Sequence, residues 1–393
     1  MKARGNKRIW PNDLDAGEVS PLHRLYSRVI DVEQKSLGIQ AIRWGLRPIS
    51  YLYGAIISAR RRAYHQGLFR SERVSCCVVS IGNLTVGGTG KTPITLALAR
   101  ELIKRGFRIA VISRGYKRTH VSEKISIVSD GKRILTDVAH AGDEPLMIAR
   151  QEPRAIVAVG ANRVQVARLI IRKYTPDAIL LDDGFSHLAI ARDFDLLLLH
   201  ADAPTGNGQF LPLGPLREAQ SALSDADLIC FTRCRSSQIE PMSFHIPTIR
   251  SGYRVIGFRR LDSTDITPVH RFPHKKATAA SGIANPNDFA RILKSCGIQL
   301  NRHHIFPDHH PYFKAEARRI ATSSRLPVIV TEKDAVKWES LINQEQKKSV
   351  WATVMESYIM EPVQEWERFL DRIGEKIREK KSVISGKFQD HGV

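Results

Sequence analysis

The sequence predicts a doubly wound α/β fold on a mostly parallel sheet, with a smaller α/β lobe toward the C-terminus and an amphipathic helix near the N-terminus. Three observations carry this prediction. Short apolar runs at 108–113, 155–160, 178–182, 195–200, 228–232 and 327–331 alternate with helix-length segments, the pattern of strands covered on both faces. A β-branched run at 78–81 feeds a glycine-rich loop that opens onto a helical pattern at 94–102. The run 178–182 ends in two carboxylates, Asp182 and Asp183, followed by Gly184.

A chain of 393 residues, 42% of them hydrophobic, has room for two domains. The expected divisions are a polar extension (1–36), a membrane-associating amphipathic helix region (37–73), a core domain (74–250), linker strands (251–274), a smaller lobe (275–350) and a charged helical tail (351–393). Nothing in the first 30 residues reads as a cleavable signal peptide, since they lack an apolar core and contain Asp13, Asp15 and Glu18. Five cysteines, an odd number without C-x-x-C spacing, are expected to be reduced thiols of a cytoplasmic protein and not a metal site. The net charge is +20, and the first 75 residues carry 14 Lys/Arg against 6 Asp/Glu. Such an excess suits a polyanionic partner: anionic lipid, nucleic acid or a phosphorylated substrate.

Along the chain, the first element is a helix placed after Pro48, with Ile49, Leu52, Tyr53 and Ile56 on one face and Arg60, Arg61 and Arg62 behind them. The mostly apolar stretch 49–57 is far short of the ~20 residues that span a bilayer, so the helix is expected to lie on a surface. That surface could be its own domain. Trp44, Tyr51, Tyr53 and the arginines favour a membrane interface, where amphipathic rings and cations both find partners.

The next element is the glycine loop Asn83-Leu84-Thr85-Val86-Gly87-Gly88-Thr89-Gly90-Lys91-Thr92. Glycines let successive N–H groups turn onto an anion, a following helix adds its positive end, lysine reaches the β/γ-phosphates and the Thr92 hydroxyl can hold Mg²⁺. This makes the sheet one of P-loop NTPase type, although Thr85 stands where the consensus places glycine. Asp182 and Asp183 fit the strand-end acids that sit beside a P-loop metal. Further polar clusters at 142–145, 216–218 and 307–311 supply the acids, cations and imidazoles that phosphoryl transfer needs. A GTPase normally carries Asn-Lys-x-Asp for its base; in Thr331-Glu332-Lys333-Asp334 the lysine and aspartate are adjacent. A nucleotide-driven metal chaperone shares the loop and acids, and a basic nucleic-acid-binding NTPase would share the charge but lacks a recognition motif here.

Taken in order, the strings 82–93 (Gly-Asn-Leu-Thr-Val-Gly-Gly-Thr-Gly-Lys-Thr-Pro), Ser113-Arg114-Gly115-Tyr116, Gly142-Asp143-Glu144-Pro145, Asp182-Asp183-Gly184-Phe185, Pro215-Leu216-Arg217-Glu218 and 331–337 (Thr-Glu-Lys-Asp-Ala-Val-Lys) resemble the tetraacyldisaccharide 4'-kinase family from about residue 46 to 337. The resemblance implies transfer of the ATP γ-phosphate to the 4'-hydroxyl of an acylated glucosamine disaccharide 1-phosphate, giving lipid IVA, with Mg²⁺. It also implies a peripheral or monotopic enzyme at the cytoplasmic face of the inner membrane, bound to an anionic surface, with neither nucleic acid nor a protein partner. Carried over residue by residue, Lys91 and Thr92 contact phosphate and Mg²⁺, and Asn83 belongs to the loop signature. Asp143 is the acid working on the sugar hydroxyl, with Glu144 beside it. Asp182, Asp183 and Glu218 surround the metal, while Arg114, Arg163, His187 and Arg217 line the cleft. His309 assists Asp143, with His310 an equal choice on spacing. Ser186 departs from the family's usual Gln.

Overall fold

The computed structural model describes residues 21–31, 33–115, 124–234, 245–283, 285–360 and 362–389. Residues 1–20 of the expected extension and Tyr116 lie outside that set.

Helices α1 (Pro21–Ile30) and α2 (Leu37–His65) come first. Here the expectation of a wholly polar extension to residue 36 fails, because Val29 and Ile30 of α1 are buried. Pro48 lies inside the 29-residue α2 and does not start it. The helix runs through at the cost of the hydrogen bond that proline cannot donate. The buried positions of α2 are Ile39, Ser50, Gly54 and Arg61, whereas Trp44, Ile49, Tyr51, Leu52 and Ile56 are exposed. Over residues 49–61 the side facing the protein carries Ser50, Tyr53, Gly54 and Arg61, while Ile49, Tyr51, Leu52 and Ile56 face out.

The first block comprises β1 (Cys77–Asn83), α3 (Lys91–Lys104), β2 (Ile109–Ser113), β3 (Ile125–Asp130), α4 (Val138–Ala141), α5 (Asp143–Gln151), β4 (Ile156–Gly160), α6 (Arg163–Tyr174), β5 (Ala178–Asp182), β6 (Phe194–His200) and β7 (Leu228–Thr232). The second comprises β8 (Thr248–Arg260), β9 (Ile266–Pro268), β10 (Lys276–Ser281), α7 (Pro286–Ser295), β11 (Gln299–Ile305), α8 (Lys314–Ser323), β12 (Val328–Val330), α9 (Glu332–Leu341), α10 (Gln344–Lys347), β13 (Val350–Met360) and α11 (Val363–Gln389). All strands join one sheet in the order β11-β10-β12-β13-β8-β7-β6-β1-β5-β2-β4-β3, with β9 paired to β8. The pairings are parallel except at β3/β4, β8/β9 and β8/β13.

The antiparallel β8/β13 pair determines where a site can form. Strand β7 joins β8 only at residues 248–250, and β12 joins β13 only at 350–352, which pair with the opposite end of β8. The two parallel blocks are thus offset along a two-stranded ribbon by roughly 30 Å, at about 3.3 Å per residue. Because β8 and β13 run in opposite directions, the carboxyl edges of the blocks face each other across that ribbon.

Two expected divisions are corrected. The linker strands of 251–274 are an integral part of the sheet, and the charged helical tail of 351–393 begins with strand β13. Nor is the helix that follows merely solvated. Trp366, Phe369, Leu370, Ile373 and Ile377 of α11 are buried among Val79, Val111, Leu180 and Leu196 of the first block. Helix α6 covers the opposite face, over Val78, Ala110, Ile112, Ile179 and Leu181. Adjacent residues of one strand thereby enter different cores, which accounts for the unbroken apolar runs. Among the described residues, no helix is long and apolar enough to cross a membrane.

Candidate active site

The loop 84–90 leaves β1 at the carboxyl edge and enters α3 at Lys91. Three ties hold it open: Val86 N–H donates to Pro215 O (2.7 Å), Arg217 N–H to Leu84 O (2.8 Å), and the Thr232 hydroxyl to Thr89 O (2.8 Å). Thr85 pairs with Leu216 in an antiparallel bridge, an extended conformation that suits a β-branched residue and accounts for the missing glycine. Gly90 has no such latitude. Its φ is +79°, and a Cβ there would lie 1.6 Å from the Tyr253 hydroxyl on the ribbon strand β8.

Around this loop the structure gathers four expected residues. The Asn83 side-chain oxygen accepts hydrogen bonds from Lys91 Nζ (3.2 Å) and from Arg217. Arg217 also forms a bidentate pair with Asp183, and Lys91 Nζ lies 3.7 Å from the same carboxylate. Burial would raise the Asp183 carboxyl, but Lys91 and Arg217 hold it down to about 2. Its neighbour Asp182 behaves oppositely. Buried and facing the charges of Glu144 and Asp183, it is pushed up to about 7 despite a 3.0 Å hydrogen bond from the Thr95 hydroxyl. Thr92 is buried one turn before Thr95 on α3.

A second cluster joins the two blocks. Asp143, 5% exposed at the start of α5, lies 2.9 Å from His309 Nδ1 and 3.1 Å from Lys337 Nζ. Burial alone would raise its carboxyl. The His309 hydrogen bond and the charges of Lys333 and Lys337 instead hold it well below the usual carboxylate range. His310 is bonded to Glu316 at 2.9 Å, so the structure pairs His309, and not His310, with the acid. Glu144 connects the clusters: it follows Asp143 in α5 and acts electrostatically on Asp182.

Cations line the remaining side. Arg163 is buried and has no described partner for its Nε, while Arg114 is exposed nearby, its charge acting on Arg163. Burial, together with Arg163, Arg60, Arg192 and Arg114, pushes the His187 imidazole down to about 4. Ser186 contributes a buried hydroxyl with no hydrogen-bond partner among the described residues.

One expected residue is placed elsewhere. Glu218, read as a metal neighbour, is 2% exposed and accepts hydrogen bonds from Arg61 of α2 (Nε at 3.1 Å), which also pairs with Asp225 and donates to Phe185 O. Although it adjoins Arg217 in sequence, its carboxylate is committed to the helix side. Sequence reasoning missed Lys333, Lys337, Tyr253 and Arg61. The first two were readable as an i, i+4 pair in the 331–337 string; Tyr253 and Arg61 lay in patterns that spoke only of a strand and a basic cluster.

A glycine loop running from a strand into Lys-Thr at a helix start, opposite strand-end aspartates and an acid–imidazole pair, defines a nucleotide-dependent phosphotransferase. The particular kind is settled by comparison. Residues 42–374 match the tetraacyldisaccharide-1-P 4'-kinase family, LpxK, and the chain belongs to that family. It is 38% identical to the tetraacyldisaccharide 4'-kinase of Geobacter metallireducens over 81% of this chain and 94% of that one. It is 39% identical to that of Syntrophotalea carbinolica over 74% and 82%. The crystal structure of LpxK from Aquifex aeolicus in complex with ATP superposes with a TM-score of 0.72 at 28% identity, covering 84% of this chain and 99% of that one.

Proposed function

We propose that this chain transfers the γ-phosphate of ATP to the 4'-hydroxyl of tetraacyldisaccharide 1-phosphate, forming lipid IVA in lipid A biosynthesis. The observation that carries the reading is the Asp143–His309 pair closing from two blocks beside the cluster of Asn83, Lys91, Asp183 and Arg217. A sugar hydroxyl is too weak an acid to ionise at neutral pH. Asp143 accepts its proton as the hydroxyl oxygen bonds to the γ-phosphorus and the bond to the β–γ bridging oxygen breaks, leaving ADP. The loop N–H groups, Lys91 and Arg217 hold the polyphosphate in line and offset its charge. In this reading Arg114, Arg163 and His187 line the cleft, with Arg163 in electrostatic reach of Asp182 and Asp183.

The residues fit a bound Mg²⁺. Asp182 and Asp183 end β5 and Thr92 is buried in the first turn of α3; burial first, and then the charges of Glu144 and Asp183, raise the Asp182 carboxyl, and a bound cation would favour its ionised form. Among the described residues no group of three or more His, Cys, Asp or Glu is placed to hold a metal. Mg²⁺ needs no such set, since it is usually held by one or two carboxylates plus substrate phosphates and water. When bound, it supplies charge neutralisation on the phosphates.

Helix α2 supports a peripheral association with the cytoplasmic face of the inner membrane. Its outward Trp44, Ile49, Tyr51, Leu52 and Ile56 would enter the interface, with cations of the same segment near the anionic headgroups. The direct test is ³²P transfer from labelled ATP to tetraacyldisaccharide 1-phosphate in micelles with Mg²⁺. Labelled lipid is expected from the wild type and none from Lys91→Ala. Asp143→Ala is expected to lower turnover by about 10² to 10⁴ with ATP affinity retained. Nucleotide binding without lipid labelling in the wild type would defeat the reading.

A further inference from the structure

Lys333 and Lys337 of the 331–337 string have no part in the reaction as described above. They lie one turn apart on one side of α9, whose start is fixed from both directions. The Thr331 hydroxyl accepts from Asp334 N–H (3.2 Å), and the Asp334 carboxylate accepts from Gly282 N–H (3.0 Å). From this mount Lys337 Nζ reaches Asp143 Oδ2 (3.1 Å) and donates to His310 O (3.1 Å). Lys333 Nζ lies 2.9 Å from His309 Nε2, 3.1 Å from Asp308 Oδ1 and 3.6 Å from Glu144. The groups form one chain: Lys333, His309, Asp143, Lys337.

Hydrogen-bond chemistry orders the protons along that chain. An ammonium group has donors only, so its bond to Nε2 requires a lone pair there. The ring proton is then on Nδ1, where it is donated to Asp143 Oδ2. Burial alone would favour a neutral Lys333 amine, but Asp308, Asp143 and Glu144 outweigh it and keep the ammonium form. Asp143 Oδ1 accepts the Glu144 N–H (3.1 Å) and retains lone-pair capacity for an incoming hydroxyl.

We propose that Lys333 is a positioning residue for phosphoryl transfer: it holds His309 in the tautomer that presents Nδ1–H to Asp143, and thereby aims the carboxylate that receives the acceptor's proton. The inference deepens the kinase reading above and rests on it. A lysine serving only as an ion-pair partner of Asp308 and Glu144 would support the local fold without acting through the imidazole, and the two roles separate experimentally.

The experiment compares wild type, Lys333→Met, Lys333→Arg, His309→Ala and the Lys333→Met/His309→Ala double variant in lipid phosphorylation. It is paired with ¹⁵N spectra of histidine-labelled protein, His309→Ala assigning the His309 ring signals. The expectation for Lys333→Met is a kcat lower by about 10- to 100-fold, with KM for ATP little changed. Lys333→Arg should recover most of the loss, and Lys333→Met should add nothing in the His309→Ala background. Equal losses in both backgrounds, or unaltered His309 ring signals in Lys333→Met, would overturn the proposal. The wild-type spectrum decides even if the methionine variant does not fold: a His309 proton on Nε2 sinks the idea. Wild-type protein that labels no lipid would remove the kinase reading, while those ring signals still report on the Lys333–His309 bond.

Discussion

Asp143 carries opposing influences at a single residue. Burial would make it a stronger base, yet His309, Lys333 and Lys337 keep it ionised. A carboxyl whose folded pKa lies below its unfolded value of about 4 contributes stability that is fully present above that value and is lost as pH falls through and below it. Asp143→Asn is therefore expected to be less stable than wild type at pH 6, on the order of 3 kcal/mol for a broken buried pair, with the gap narrowing below pH 4. Urea unfolding of both proteins between pH 6 and pH 3 checks this; a gap independent of pH would remove the charge from the account. The candidate acids, loop and cations were legible in the sequence because their chemistry is tied to residue type and spacing. The choice between His309 and His310 was not. Adjacent residues have the same spacing to every motif, and the decision comes from a turn in which His309 takes a positive φ of 62° and swings toward α5.

Among the elements, those buried on both faces were the most legible. Strands β2, β4, β5, β6 and β7 appear as unbroken apolar runs because both sides of the sheet are covered. Strand β13 and helix α11 were hidden by their solvent side. The second half of β13 is only partly buried, and the Glu, Lys and Arg of α11 mask the apolar stripe of Trp366, Phe369, Leu370, Ile373 and Ile377. A helix start at Pro48 places the beginning of α2 too late, since the helix runs from Leu37 through Pro48 to His65. Replacing Ile49, Leu52 and Ile56 together with Glu should abolish sedimentation with anionic vesicles while leaving ATP affinity within about twofold, since the tie to the core runs through Ser50 and Arg61. Undiminished vesicle binding would mean that this face is not the one that meets lipid.

In the molecule as a whole, the two blocks share more than an edge. The chain leaves the first block along β8, builds the second, returns along β13 and lays α11 back onto the first. Phe369, 2% exposed, contacts Phe194 of β6 edge-on at 5.8 Å. Phe369→Ala is expected to cost about 3–5 kcal/mol, and the loss should appear in the nucleotide-binding block, some 130 residues earlier in the chain. Hydrogen exchange of β1 and β6 amides would register it; exchange accelerated only within α11 would show that the helix is an independent appendage.

This return path also places a demand on biosynthesis. The last of strands β1 to β7 emerges from the ribosome about 130 residues before α11, a lag of roughly 7 to 26 seconds at about 5–20 residues per second. During that interval the seam awaiting Trp366, Phe369, Leu370, Ile373 and Ile377 stays open to solvent. The nascent nucleotide-binding half must be kept from self-association until its own final layer has been translated, so a competent phosphate site appears only late in synthesis.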